Sequence, residues 1–255
     1  MQLTPVTALG LVIALAGFTL LDRARRARGE SAAAAGADRS SDLRDHATDL
    51  REHAWKWAIP AILLVVVVAE GNSLASIGWR IDAPGRLLRQ VGVGVVVLSG
   101  LNLLTAPLWA RVGDGGESLA AGISSFSSLS HSERLFVAFT AGATEETAFH
   151  GYALERLLAL TGSVPFAGGV AFLAFTLGHV GDTWDRHAVL RIAQPALVTT
   201  LLYLWFRSLP ALIAIHALND AVGLLLAKRF EHRGRDGVEV GVDGDGAAVE
   251  WLRGE

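Results

Sequence analysis

The sequence predicts an all-α membrane bundle of about seven transmembrane helices, and three observations carry that reading. About half of the 255 residues are hydrophobic and only 18% are charged, where a soluble domain is nearer ~25% charged. Runs with few or no charges recur along most of the chain, each close to the ~20 residues a helix needs to cross ~30 Å of hydrocarbon. The charges that remain are segregated into the connections, so the net charge of −3 says nothing about partners. The chain has no cysteine, which excludes disulfides, thiolate metal sites and a cysteine nucleophile.

The first span covers 3–21. No basic side chain precedes it, whereas Arg23, Arg25, Arg26 and Arg28 follow it. That is the charge order of an uncleaved span with its N-terminus outside, not of a removable signal. Within the polar stretch 22–56, the Gly/Ala-rich piece Gly29–Ala37 reads as a linker. Leu43, Ala47, Leu50, Ala54 and Trp57 then recur at helical spacing. They describe either a helix on the cytoplasmic interface, with Trp55 and Trp57 at headgroup level, or a solvated extension of the next span.

The second span, 57–77, contains Glu70, which reads as an interfacial charge. A turn at Gly78–Gly85 leads to the third span, 87–110, closed by Gly113–Gly116. The Ser-rich stretch Glu117–Ser132 reads as a loop or short re-entrant piece. Ser132-Glu133 opens a long helical pattern through about Leu160, which Gly162 and Pro165 break. Spans at 165–180, 188–206 and 210–228 follow, with a sharp turn at Ser208-Leu209-Pro210. Beyond Lys228 the chain is polar and glycine-rich. Val238, Val240, Val242, Val249 and Trp251 alternate there as in a small hairpin, disorder being the alternative.

Three parts result: 1–56 with the first helix, linker and interfacial helix; the core 57–228; and the tail 229–255. Six spans separate the Arg23–Arg28 cluster from Lys228, Arg229, Arg233 and Arg235, so both basic clusters fall on one side. Basic residues prefer the cytoplasmic side. The expectation is a multi-pass protein of the cell membrane with a cytoplasmic C-terminus.

Ionisable groups at membrane depth cost ~2.5–3.5 kcal/mol each on insertion scales and face the bundle interior. Here Glu145 and Glu146 share one span, His179 lies near the end of another, and His216 and Asp220 sit in the middle of the last. Carboxylates with imidazoles form a set that activates water or binds a metal. His216 and Asp220, Phe175 and His179, and Glu146 and His150 are each four residues apart, about 40° round a helix. Three spans can therefore converge their polar faces on one cavity. Adjacent glutamates in a span are rarely structural. By contrast, His179 alone fits a boundary histidine near Asp182 and Asp185, and His216–Asp220 alone fits a helix-packing pair.

These residues resemble the motifs of the intramembrane CAAX-processing and bacteriocin-protecting proteases, which include the prenyl-protein endopeptidases of the Rce type. Glu145-Glu146-Thr147-Ala148-Phe149-His150-Gly151 is similar to that family's glutamate-pair motif. Phe175–His179 is similar to its second motif and His216–Asp220 to its third, in the same order, within about 130–228. One departure is clear: His150 stands where the family has an arginine that fixes the glutamate pair.

The resemblance implies an intramembrane endopeptidase acting on a membrane-associated peptide or protein, with the lipid bilayer as its surroundings and no nucleic acid. It implies Glu145 as the base that activates water, Glu146 as its neighbour, and His179 as sharing the water. His216 and Asp220 would steady the oxyanion; Asp220 would be protonated, orient His216, or help hold a cation. The cofactor is either none or a divalent metal such as zinc, with His179, His216 and Glu145 as candidate ligands, although the sequence lacks His-Glu-x-x-His. Two other classes stay open. One is a catalytically silent scaffold of the same fold. The other is a proton-coupled transporter using the Glu/His/Asp relay, which would normally show paired repeats; no internal repeat is evident.

Overall fold

The computed structural model describes residues 1–34, 50–51, 53–81, 83–114, 116–180 and 186–229, and among these it is helical with no strand. Leu43 and Ala47 of the expected interfacial helix, Asp182 and Asp185, and the alternating tail residues lie outside the described residues. Among the described residues four helices are long and apolar enough to cross a membrane: α1 (Pro5–Ala34, over Pro5–Ala24), α3 (Pro84–Trp109), α8 (Arg186–Phe206) and α9 (Leu209–Leu225, apolar through to Arg229). Two shorter apolar helices join them, α2 (Ala58–Ala69) and α7 (Val164–Gly178). The seventh expected span is a rod of three pieces: α5 (His131–Glu146), a π-helix (Thr147–Leu154) and α6 (Glu155–Thr161).

Three details differ from the sequence expectation. α1 continues to Ala34, through residues read as linker, because the Arg- and Ala-rich stretch consists of strong helix formers. Within Glu117–Ser132, residues Glu117–Ser124 form the short helix α4. Its link to α5 is tied down by buried Arg134, which donates to the carbonyls of Phe126 (3.0 Å) and Ser127 (2.5 Å). Glu70, expected as an interfacial charge at a span end, does end α2 but turns its side chain into the protein. Its side chain is buried and paired with Arg156 at 2.7 Å, and it accepts from Tyr152 at 2.8 Å. A buried carboxylate needs such partners.

α5 begins at a capping box. Ser130 accepts from the Glu133 backbone N–H, and the Glu133 carboxylate accepts from that of Ser130 at 2.7 Å. At the other end of α5, the hydroxyls of Thr144 and Thr147 donate to the Thr140 and Ala143 carbonyls at 2.8 and 2.7 Å. Such side-chain bonds compete with the backbone ladder, and the wider π turn starts there.

α9 runs through the middle, against α5 on one side and α3 on the other. Glycines permit these approaches. A Cβ on Gly142 would lie 2.9 Å from the Ala217 backbone nitrogen, and one on Gly94 2.2 Å from Ile215 Cδ1. The core includes Leu63, Leu98, Tyr152, Tyr203, Leu212 and Ile215. The opposite faces are apolar and open, Leu104 being 82% exposed, as helices facing lipid require.

Candidate active site

Gly142 on α5 lies one turn before Glu146, and its contact with α9 spans Ile213 to Ala217. The close crossing of the two helices thus sets Glu146 beside His216. Glu146 is fully buried and is held by two imidazoles: His216 Nδ1 meets Oε1 at 2.6 Å and His150 Nδ1 meets Oε2 at 2.5 Å. Nitrogen and oxygen lone pairs cannot approach so closely, so a proton lies in each contact.

The other nitrogen of His150 decides its role. Thr200 gives its hydroxyl hydrogen to the Ala196 carbonyl at 2.9 Å, so at 2.8 Å it accepts from His150 Nε2. With protons on both nitrogen contacts, the Glu146–His150 pair is electrically neutral, as a glutamate–arginine pair would be. The departure from the family's arginine keeps the charge balance and changes only the donor.

His216 Nε2 faces Asp220 Oδ2 at 3.3 Å, while Asp220 Oδ1 accepts from Asn219 at 3.2 Å. A chain of amides fixes that direction. The Trp109 indole can only donate, and it does so to Gln194 Oε1 at 2.5 Å. Gln194 therefore turns its NH2 to Asn102 (3.0 Å), and Asn102 turns its own to Asn219 (3.4 Å). Every hydrogen points towards Asp220, which is an acceptor. None of Asn102, Trp109, Gln194 or Asn219 was singled out from sequence, although three are amides inside predicted spans.

Glu145 turns the other way. Its Oε1 accepts from Lys56 Nζ at 3.1 Å. Its Oε2 is buried, has no hydrogen-bond partner among the described residues, and lies 3.5 Å from His179 Nε2. His179 Nδ1 donates to the Phe175 carbonyl at 2.8 Å, so Nε2 offers a lone pair. The Phe175 ring packs on His179, His216 and His150, with centroids 4.8, 5.8 and 6.0 Å apart. Lys56 precedes α2 and His179 caps the end of α7. The site therefore lies where the two short apolar helices stop.

All five candidates, Glu145, Glu146, His179, His216 and Asp220, are thus brought together. A metal does not suit them. Among the described residues no three His, Asp or Glu side chains are arranged to hold one. His216 has both nitrogens turned to carboxylates, and the Lys56 ammonium, 3.1 Å from Glu145 Oε1, already brings a positive charge to that carboxylate.

The family model described as type II CAAX prenyl endopeptidase Rce1-like matches residues 129–222. The likeness is to that segment, which is less than half of the chain. No curated protein and no solved structure matches the chain. The Rce1-like segment runs from the capping box of α5 to within α9 and contains all five candidates. Lys56, on the Glu145 carboxylate, comes from outside it. Its sequence signal was faint, because a basic residue at the start of an apolar span is ordinary.

Proposed function

We propose that the protein is an intramembrane endopeptidase that hydrolyses a peptide bond of a membrane-associated substrate, with Glu145 as general base. The match of residues 129–222 to the Rce1-like family supports peptidase chemistry and a membrane-associated protein substrate. The observation that carries the reading is the unpartnered Glu145 Oε2 facing the His179 Nε2 lone pair. A water that donates one hydrogen to each presents its own lone pair to a carbonyl carbon.

Glu145 takes one proton from that water as the oxygen bonds to the carbonyl carbon. When the C–N bond breaks, Glu145 returns the proton to the leaving amine. Glu146, with His150 and His216 on its two oxygens, keeps α5 and α9 in register behind the base and touches no substrate. A C-terminal peptide carrying a prenyl group is the substrate class we favour, because a lipid anchor delivers it to a site inside the bilayer. Residues 57–228 would form the peptidase core, in a multi-pass protein of the cell membrane with its C-terminus cytoplasmic.

The test is a comparison of new N-termini in membranes that contain the wild type or Glu145→Gln. The wild type should generate termini in membrane-associated proteins, and Glu145→Gln should lower their rate at least ~100-fold, the usual worth of a placed general base. Equal termini with both proteins would reject Glu145 as the base. None from either would favour a silent scaffold.

A further inference from the structure

At the end of the molecule away from Lys56, where α2 and α8 finish and α3 and α9 begin, charge is concentrated again. The segments 70–90, 155–165 and 206–210 contain five arginines and three carboxylates. Arg156 is paired with Glu70 and Arg207 with Glu155. Arg80, Arg86 and Arg89 then stand against Asp82, a surplus of two positive charges. In the orientation proposed above this end lies outside the cell, where basic residues are usually scarce in short loops. Three of the arginines share a cavity. Arg80, Arg86 and Arg207 line a space of about 90 Å³ together with Ala83 and Ser208, which has room for several waters or for one phosphate group. Arg80 is exposed; its Nε donates to the Ala75 carbonyl at 3.1 Å, and its two Nη atoms donate to no described residue. Arg207 holds a φ of 51°, a backbone that glycine takes without cost, yet it is the side chain that lines the cavity. Ala83 and Ser208 precede the first turns of α3 and α9, and neither side chain caps its helix. The positive ends of two helices thus add to the arginines.

The surroundings favour a lipid over a free ion. Trp79 and Trp205 are 45% and 68% exposed, as rings at headgroup level are. Deeper along the helices, Leu88 of α3 and Leu201 of α8 are 72% and 56% exposed, which leaves apolar faces open to acyl chains. We propose that this cavity binds the phosphate of an anionic phospholipid, with Arg80 and Arg86 as donors and the tails along α3 and α8. Guanidinium forks match the oxygens of a phosphate in pairs. A lipid with net negative charge offsets the surplus, whereas a zwitterionic one brings its own cation. Bound there, the headgroup ties the α2–α3 loop to the start of α9, the helix that carries His216 and Asp220. The site is independent of the peptidase reading.

The test uses the whole chain in maltoside micelles, with binding of the first lipid followed by native mass spectrometry and the melting temperature measured alongside. Dioleoyl phosphatidylglycerol should bind at least ~10-fold tighter than dioleoyl phosphatidylcholine, the scale of two unbalanced arginines at a membrane surface. It should also raise the melting temperature, and millimolar inorganic phosphate should not. Arg80→Gln combined with Arg86→Gln should abolish the preference. So should Ala83→Glu, which puts a carboxylate on the cavity wall at a helix start, where a negative charge favours the fold. Arg23→Gln combined with Arg229→Gln, which removes the same charge from the other end, should keep it. If one cavity variant melts below wild type in phosphatidylcholine, the other decides. Three results overturn the site: no preference for phosphatidylglycerol in the wild type, a preference that survives in the cavity variants, or its loss in the Arg23 and Arg229 control, which would make it a response to total charge. An equal rise in melting temperature with inorganic phosphate, absent in Ala83→Glu, would overturn the lipid assignment by putting a free anion in its place.

Discussion

Glu146, His150, His216 and Asp220 form one chain of contacts in which the charge of each side chain bears on the next. Two carboxylates, Glu146 and Asp220, face two imidazoles, His150 and His216, so that as ions the four would balance. Lys56 cancels Glu145 in the same way. Neutrality follows from burial, because an unpaired ion here would cost several kcal/mol. It also predicts what Asp220→Asn does. The substitution removes one negative charge, and an amide donates to His216 Nε2, which then needs no extra proton. The site remains neutral with one proton fewer. Activity within about 5-fold of wild type is expected in the peptidase assay, and a loss above about 100-fold would show that the Asp220 charge is required. At this scale the sequence revealed the costly residues. Glu145, Glu146, His179 and His216 stand out because carboxylates and imidazoles are rare in spans. Lys56 and the amides of Asn102, Gln194 and Asn219 were missed because each is tolerable alone, and their value lies in partners on other helices.

Helices α5 and α9 meet at a crossing that depends on one missing methyl group. Adding it at Gly142 would place carbon 2.9 Å from the Ala217 nitrogen and 3.0 Å from the Ile213 oxygen, both backbone atoms that cannot swing aside. Overpacking of this kind costs about 1–3 kcal/mol. We expect Gly142→Ala to separate the helices, lengthen the Glu146–His216 contact and lower activity at least ~10-fold. Gly92→Ala, with nothing within 4 Å, is the silent comparison. Equal activity of the two variants would remove the crossing from the account. Element positions were largely legible: the spans expected at 165–180, 188–206 and 210–228 are α7, α8 and α9 to within a few residues. The π turn at Thr147–Leu154 was not. Apolar periodicity is the same for an α-helix with one widened turn, and the threonine hydroxyls that open it look like ordinary span residues.

Across the whole molecule, the basic clusters and the count of spans predict one orientation. A reporter joined before Met1 should lie outside the cell, and one after Glu255 should lie in the cytoplasm, with an exported C-terminal reporter contradicting the scheme. In that orientation Lys56 and His179 lie at the cytoplasmic ends of α2 and α7. α7 has 15 residues, about 22 Å of helix, against ~30 Å of hydrocarbon. It is therefore shorter than the hydrocarbon is thick, whereas α3 and α8, of 26 and 21 residues, are long enough to cross it. Lipid tails beside α7 must shorten or tilt to meet it, and the depth at which a substrate has to bend towards Glu145 depends on the tails available. Acyl-chain length thus becomes a control on the rate. In vesicles of phosphatidylcholines with 14-carbon tails, hydrolysis should run several-fold faster than in those with 22-carbon tails, at equal surface density of substrate. Equal rates would mean that α7 carries its own thinned patch of bilayer wherever it goes. The membrane, in either case, is part of the site's geometry, and on the peptidase reading a change in lipid composition would tune cleavage without any effector touching the protein.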